Sequence, residues 1–171
     1  PLLAAALVET AARLPGLPIE SHLDLCAGPG TAVWAAAQAF PSIRTTTCVE
    51  RDPAFAALGA RLLARGGGAS VPHHVRWQQA DISIASDSAP PGGTGVPPGN
   101  ADDETDRVSE PPAFPGDATH DLVTIGYGLN ELPPPARAAV VAAAWRAACV
   151  ALVIVEPGTP AGSAATLDCR P

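Results

Sequence analysis

Apolar and polar positions follow two rhythms along this chain. Over residues 2–14 the leucines Leu3, Leu7 and Leu14 fall on or near one face at helical spacing. A short strand is predicted at 22–25, a helix over 31–40, and a β-branched strand, "TTTCVE", over 45–50. Asp52 and Pro53 supply an N-cap and a first-turn proline for a helix running to about residue 65, and Gly66-Gly67-Gly68 stops it. "VRWQQA", at 75–80, alternates and leads into Asp81. "DLVTIGY", at 121–127, is continuously apolar after its acid, as a strand buried on both faces should be. A helix over 135–148 carries Val140, Val141, Ala144 and Trp145, and "VALVIVEPG" is a fifth strand ending at Glu156.

Strand and helix therefore alternate throughout. That pattern predicts an α/β fold, a Rossmann-like doubly wound sheet with mostly parallel strands, in one domain over 1–171. Ligands of such sheets bind at the carboxyl ends of the strands, near the point where strand order reverses. Asp24, Glu50, Asp81 and Glu156 all fall at predicted carboxyl ends. Between the third and fourth strands, residues 83–120 are rich in Pro, Gly, Ser and Asp and are expected to form a disordered insertion.

Composition changes this picture in three places. The net charge of −7 is hostile to nucleic acid, but it is concentrated: 83–120 carry seven acids against Arg107, and the remainder carries ten acids against nine arginines. No lysine occurs. Cys26, Cys48, Cys149 and Cys169 form no CxxC pair and are read as buried free thiols rather than a disulfide or metal set. No apolar run reaches membrane-spanning length and no secretory signal is seen. The chain begins at Pro1 and contains no Met, so it is expected to be a fragment or a processed chain.

The chemistry centres on "LDLCAGPGTAVWAA" at 23–36. Gly28 and Gly30 allow close backbone approach and positive φ, and the next helix offers free N–H groups at its start. Glu50, 20 residues beyond Gly30, is placed to accept ribose hydroxyls, and Asp81 or its backbone to meet an adenine amino group. Each has a plainer reading: a ligand-free turn, an exposed strand-end acid, a turn-forming aspartate. Val33 breaks the dinucleotide fingerprint, and the lack of lysine removes a P-loop. What remains suits ribose and adenine without pyrophosphate, and S-adenosylmethionine fits that description. His73 and His74 point to opposite faces of a strand, against a joint metal site. Arg44, Arg51, Arg61, Arg65 and Arg76 could touch phosphate, but without interleaved aromatics a solvated face is the better reading.

"DLCAGPG", "VERDP" and "AD" resemble the first three motifs of class I S-adenosylmethionine-dependent methyltransferases. "DLVTIGYGLNELP" and above all "VEPGTPAG" resemble the methyltransferase-like family associated with the small ribosomal subunit in bacteria and mitochondria. The likeness covers 23–162 outside the insertion. It implies a class I methyltransferase fold, here truncated after strand five, and S-adenosylmethionine held by Asp24, Cys26, Gly28, Gly30, Glu50 and Asp81. It also implies a role in small-subunit assembly or rRNA methylation, supporting translation. The expected partners are the small subunit and its rRNA, with no membrane and no DNA. The expected compartment is the mitochondrial matrix, with bacterial cytoplasm as the alternative. An iron–sulfur cluster is implied only for a cysteine-rich region beyond Pro171, and no metal site within this chain. A small-molecule methyltransferase unrelated to the ribosome is the competing function.

Cys26 stands where the family motif has its first glycine, so a reshaped loop is expected there. After the fourth strand, Tyr127, Asn130 and Glu131 are the polar candidates for the substrate wall: Asn130 to orient an acceptor, Glu131 to take its proton. A capping Asn130 and a solvated Glu131 are the plainer reading. The Asn/Asp-Pro-Pro-aromatic tetrad of base-amino methylation is absent, so no acceptor atom follows.

Overall fold

A computed structural model describes residues 2–66, 74–83 and 118–167. Five parallel strands form one sheet: β1 (Ser21–Leu25), β2 (Thr45–Glu50), β3 (His74–Gln79), β4 (His120–Gly126) and β5 (Ala148–Val155), in spatial order β3-β2-β1-β4-β5. The helices are α1 (Leu2–Arg13), α2 (Thr31–Ala39), α3 (Pro53–Arg65), α4 (Pro134–Ala147) and α5 (Pro160–Leu167). The expected α/β alternation is present, with every strand and helix read from the sequence found within about two residues of its place.

Side chains on a strand alternate between faces, and here both faces are covered. Leu122, Val153 and Val155 pack with Leu3 and Leu7 of α1 and with Ala32, Ala35 and Ala36 of α2. Leu23, Leu25, Val123 and Ile125 face the other way, against Val140 and Ala144 of α4. Ala27, Val33 and Cys48 form a smaller cluster, with Leu63 of α3 and Trp77 of β3 against it. Asp52 caps α3, its side chain accepting from the Ala54 N–H at 2.8 Å, as the sequence predicts.

Two expectations are corrected, and two further features were not read from the sequence. Ser83 hydrogen-bonds Asp81 and His120 already belongs to β4, so the two end residues read for the insertion are ordered. Its interior, 84–117, lies outside the described residues, as does Cys169. Cys149 is exposed, because β5 is an edge strand, whereas Cys48 is buried and Cys26 half-buried. Trp145 is 69% exposed, because Val140, Ala143 and Ala144 turn the inner face of α4 to the sheet. The last helix, α5, was not foreseen, although Thr159 and Pro160 carry a start signal: Thr159 Oγ1 accepts from the Gly162 N–H at 3.2 Å.

Candidate functional site

The connections from β1 and from β4 run to opposite sides of the sheet, so the loops that follow these neighbouring strands part and leave a cleft. The cleft has a volume of about 280 Å³ and is lined by Gly28, Glu50, Phe55, Asp81, Tyr127 and Glu131, among others. A second cavity, of about 130 Å³, shares a wall with it and reaches back to Asp24.

The loop after β1 is built from left-handed turns. Cys26 (φ 59°), Gly28 (φ 52°) and Gly30 (φ 86°) all have positive φ. For Cys26 that conformation costs about 1–2 kcal/mol, which glycine would not incur. Cysteine at this position therefore keeps the glycine-type turn rather than reshaping it. Gly28 opens to empty space on its Cβ side, as a ligand cradle should. Gly30 lines neither of these two cavities and caps α2, where a Cβ would lie 3.4 Å from the Trp77 ring.

Glu50 binds this loop in place. Its Oε2 accepts the Gly28 N–H at 2.8 Å and its Oε1 the Asp52 N–H at 2.9 Å. Each carboxylate oxygen retains a second acceptor position, so the group can take two further donors from the cleft. Asp81 also faces the cleft, with Oδ1 accepting from the Ser83 hydroxyl at 2.6 Å and its N–H at 2.9 Å. These bonds hold its carboxyl below the usual carboxylate range.

Asp24 is not at a strand tip, as its position in the sequence suggested, but inside β1 and 1% exposed. Thr124 Oγ1 donates to its Oδ1 at 2.8 Å, and His22 Nε2 meets the same hydroxyl at 2.9 Å. Among the described residues Asp24 Oδ2 has no partner. Burial, opposed by the Thr124 bond and aided by the Glu50 charge, pushes Asp24 up to about 7. Burial, with His120 adding to it, pushes His22 down to about 3. Cys26 lies between these acids, and burial followed by the charges of Glu50, Asp24, Glu131 and Glu156 raises its thiol to about 12. It is no thiolate nucleophile at neutral pH.

The opposite loop repeats part of this design. Tyr127 (φ 62°) is left-handed like Cys26, and its N–H donates to Val155 O at 2.7 Å. A single 3₁₀ turn, Leu129–Glu131, follows. Glu156 accepts from its Leu129 and Asn130 N–H groups at 2.8 and 3.3 Å. Arg137 grips the same turn from its carbonyl end, with Nε donating to Leu129 O at 3.0 Å and Leu132 O at 3.1 Å. Glu131 lines the cleft and is exposed, whereas Asn130 does not reach its wall. Sequence reasoning missed the roles of Glu156, Arg137, Thr124 and His22. Only Glu156 carried a signal, its place at a strand end.

Among the described residues no three metal-ligating side chains converge, and no helix is long and apolar enough to cross a membrane. His74 is exposed, and His73 lies outside the described residues.

Residues 2–171 match the model of a family described as mitochondrial small ribosomal subunit Rsm22. The human mitochondrial ribosome assembly protein METTL17 is 30% identical over 164 residues, which are 95% of this chain and 30% of the human protein. The chain thus spans under a third of that relative's length. Among solved structures, the glycopeptide N-methyltransferase MtfA in complex with S-adenosyl-L-methionine superposes with a TM-score of 0.56 at 18% identity, covering 85% of this chain and 49% of that one. A TehB-like SAM-dependent methyltransferase from Corynebacterium glutamicum gives 0.54 at 15% identity, covering 96% and 70%. At such identities these two likenesses show a shared Rossmann-like methyltransferase fold.

Proposed function

The chain belongs to the mitochondrial small ribosomal subunit Rsm22 family, and from that premise we propose that it is a methyltransferase-like domain that binds S-adenosylmethionine and serves small-subunit assembly in the mitochondrial matrix. The cleft supports the ligand half of this reading, because its acceptors suit the ribose and adenine of S-adenosylmethionine. Glu50, already accepting two backbone N–H groups, has acceptor positions left for ribose hydroxyls. Asp81 and the backbone beside it line the same cleft and are the acceptors this reading offers to an adenine amino group. Asp24, in the adjoining cavity rather than in the cleft, keeps a buried oxygen without a partner among the described residues, an acceptor for an ammonium group only where one reaches it. When bound, the ligand supplies an electrophilic methyl group.

The chain's own residues hold and orient in this reading. Gly28 admits the ligand to the backbone, and Tyr127 and Glu131 form the outer wall, where Glu131 is the carboxylate placed to take a proton from an acceptor. No nucleophile is assigned, since burial keeps the Cys26 thiol protonated. The partner is the small subunit and its rRNA. Outside the acidic insertion the ten acids and nine arginines nearly balance, so the folded part does not repel RNA. An iron–sulfur cluster, implied by resemblance for a region beyond Pro171, has no ligand set in this reading of the described residues.

Two measurements test it. The full natural chain, tagged and expressed in mitochondria, should sediment with the small ribosomal subunit in a sucrose gradient. Free protein at the top of the gradient that methylates a metabolite would overturn the assembly role. Calorimetry with S-adenosylhomocysteine should give a heat of binding, and a folded sample that gives none would sink the ligand half.

A further inference from the structure

The two cavities at the switch point share a wall of four residues: Cys26, Gly28, Gly126 and Tyr127. Two of these have no side chain, and Tyr127 is 40% exposed on the outer side. The half-buried Cys26 side chain therefore stands between a cleft of about 280 Å³, holding Glu50 and Asp81, and a cavity of about 130 Å³, holding Asp24. It is fixed there from two sides. Its left-handed backbone aims the side chain, and Gly128 of the opposite loop leaves room for it: a Cβ on Gly128 would lie 2.5 Å from the sulfur. An independent observation marks the far cavity as a place for a ligand group. Asp24, which lines that cavity, keeps its Oδ2 buried and without a partner among the described residues, and a ligand group that reaches it from the cleft must cross the wall that holds Cys26.

We propose that Cys26 is a specificity-determining partition: it lets the chain grip the adenosine part of an adenosyl ligand while restricting entry of the amino-acid tail to Asp24. This rests on the adenosyl-ligand reading above. Glycine at this position would keep the turn, relieve its strain and join the two cavities.

Calorimetry of the full natural chain with adenosine and with S-adenosylhomocysteine separates the possibilities. The unsubstituted protein should bind the two ligands with affinities within about threefold of each other, since a blocked tail adds little. Cys26→Gly should bind S-adenosylhomocysteine about tenfold more tightly and adenosine unchanged. Cys26→Ala, which loses only the sulfur, should move the same way by less, and Cys26→Ser, of similar size, should keep the original ratio. The partition is overturned if Cys26→Gly and Cys26→Ala leave S-adenosylhomocysteine affinity unchanged or lower it, or if both ligands gain equally. If neither ligand gives heat with any variant, in samples that melt cooperatively, the adenosyl-ligand reading fails and the partition with it.

Discussion

The loop after β1 and the loop after β4 face each other across one cleft and share a plan, yet they are held differently. Both begin with a left-handed non-glycine residue, Cys26 and Tyr127. Both are anchored to the outer neighbouring strand, through Ala27 N–H to Val49 O at 3.0 Å and Tyr127 N–H to Val155 O at 2.7 Å. Both are gripped by a carboxylate from the end of that strand region, Glu50 on one side and Glu156 on the other. The difference is where the carboxylate stands. Glu50 lines the cleft, so one group both folds the β1 loop and meets whatever binds. Glu156 and Arg137 hold the β4 loop from outside the lining. In the proposed reading, ligand binding and loop stability are thus coupled on the β1 side and separated on the β4 side.

The largest effects should break this asymmetry where it is strongest. Gly28→Arg places a long side chain in the cleft at a left-handed position and should abolish S-adenosylhomocysteine binding in calorimetry. Glu50→Ala removes two charge-assisted bonds at about 1.5–3 kcal/mol each, and it should lower both Tm and affinity, the latter by at least about tenfold. Glu156→Ala should lower Tm comparably while leaving affinity within about threefold. Equal loss of affinity in the Glu50 and Glu156 variants would end the comparison. Arg137→Ala comes next, since it strips the carbonyls of Leu129 and Leu132 of a donor. A loss of about 1–3 kcal/mol in denaturant unfolding is expected, again with little change in affinity.

The smallest effect sharpens the seam between the two regions, where His22 and Asp24 of β1 meet Thr124 of β4. Asp24 is raised from 3.8 to about 7, so the folded state keeps a proton that the unfolded chain releases, and stability falls as pH rises between those values. His22 is lowered from 6.5 to about 3, so the unfolded chain holds the extra proton, and stability rises with pH over that range. The two slopes oppose each other between about pH 4 and 6.5. In thermal melts across that window Asp24→Asn should expose a rise with pH and His22→Gln a fall, each at most about 1.4 kcal/mol per pH unit. Parallel profiles for all three proteins would show that the buried pair does not govern the pH response.

Much of this was legible in the chain before folding. Asp52-Pro53 announced the start of α3 through a bond two residues long, and β4 was evident from its unbroken apolar run. Gly28 and Glu50, read from the sequence as neighbours, do line one cleft, because a glycine turn after one strand and an acid after the next have a fixed relation in this type of sheet. The different surroundings of Gly28 and Gly30 were not legible, because two glycines in one turn look alike until Trp77 packs beside one of them. Asp24 looked like a strand-tip acid and proved to be a buried member of a hydrogen-bonded chain completed by Thr124, a hundred residues later.

The sequence by itself determined the order of strands and helices and the presence of acids near the strand ends, because hydrophobic period and turn chemistry are local properties. Tertiary structure alone decided which acid faces the cleft and which serves as a fastening. That choice depends on β2 and β5 lying outside β1 and β4, which brings Glu50 to Gly28 across 22 residues and Glu156 to Leu129 across 27. It depends too on two loops meeting at Cys26 and Gly128, a contact between strands that only the assembled sheet makes neighbours.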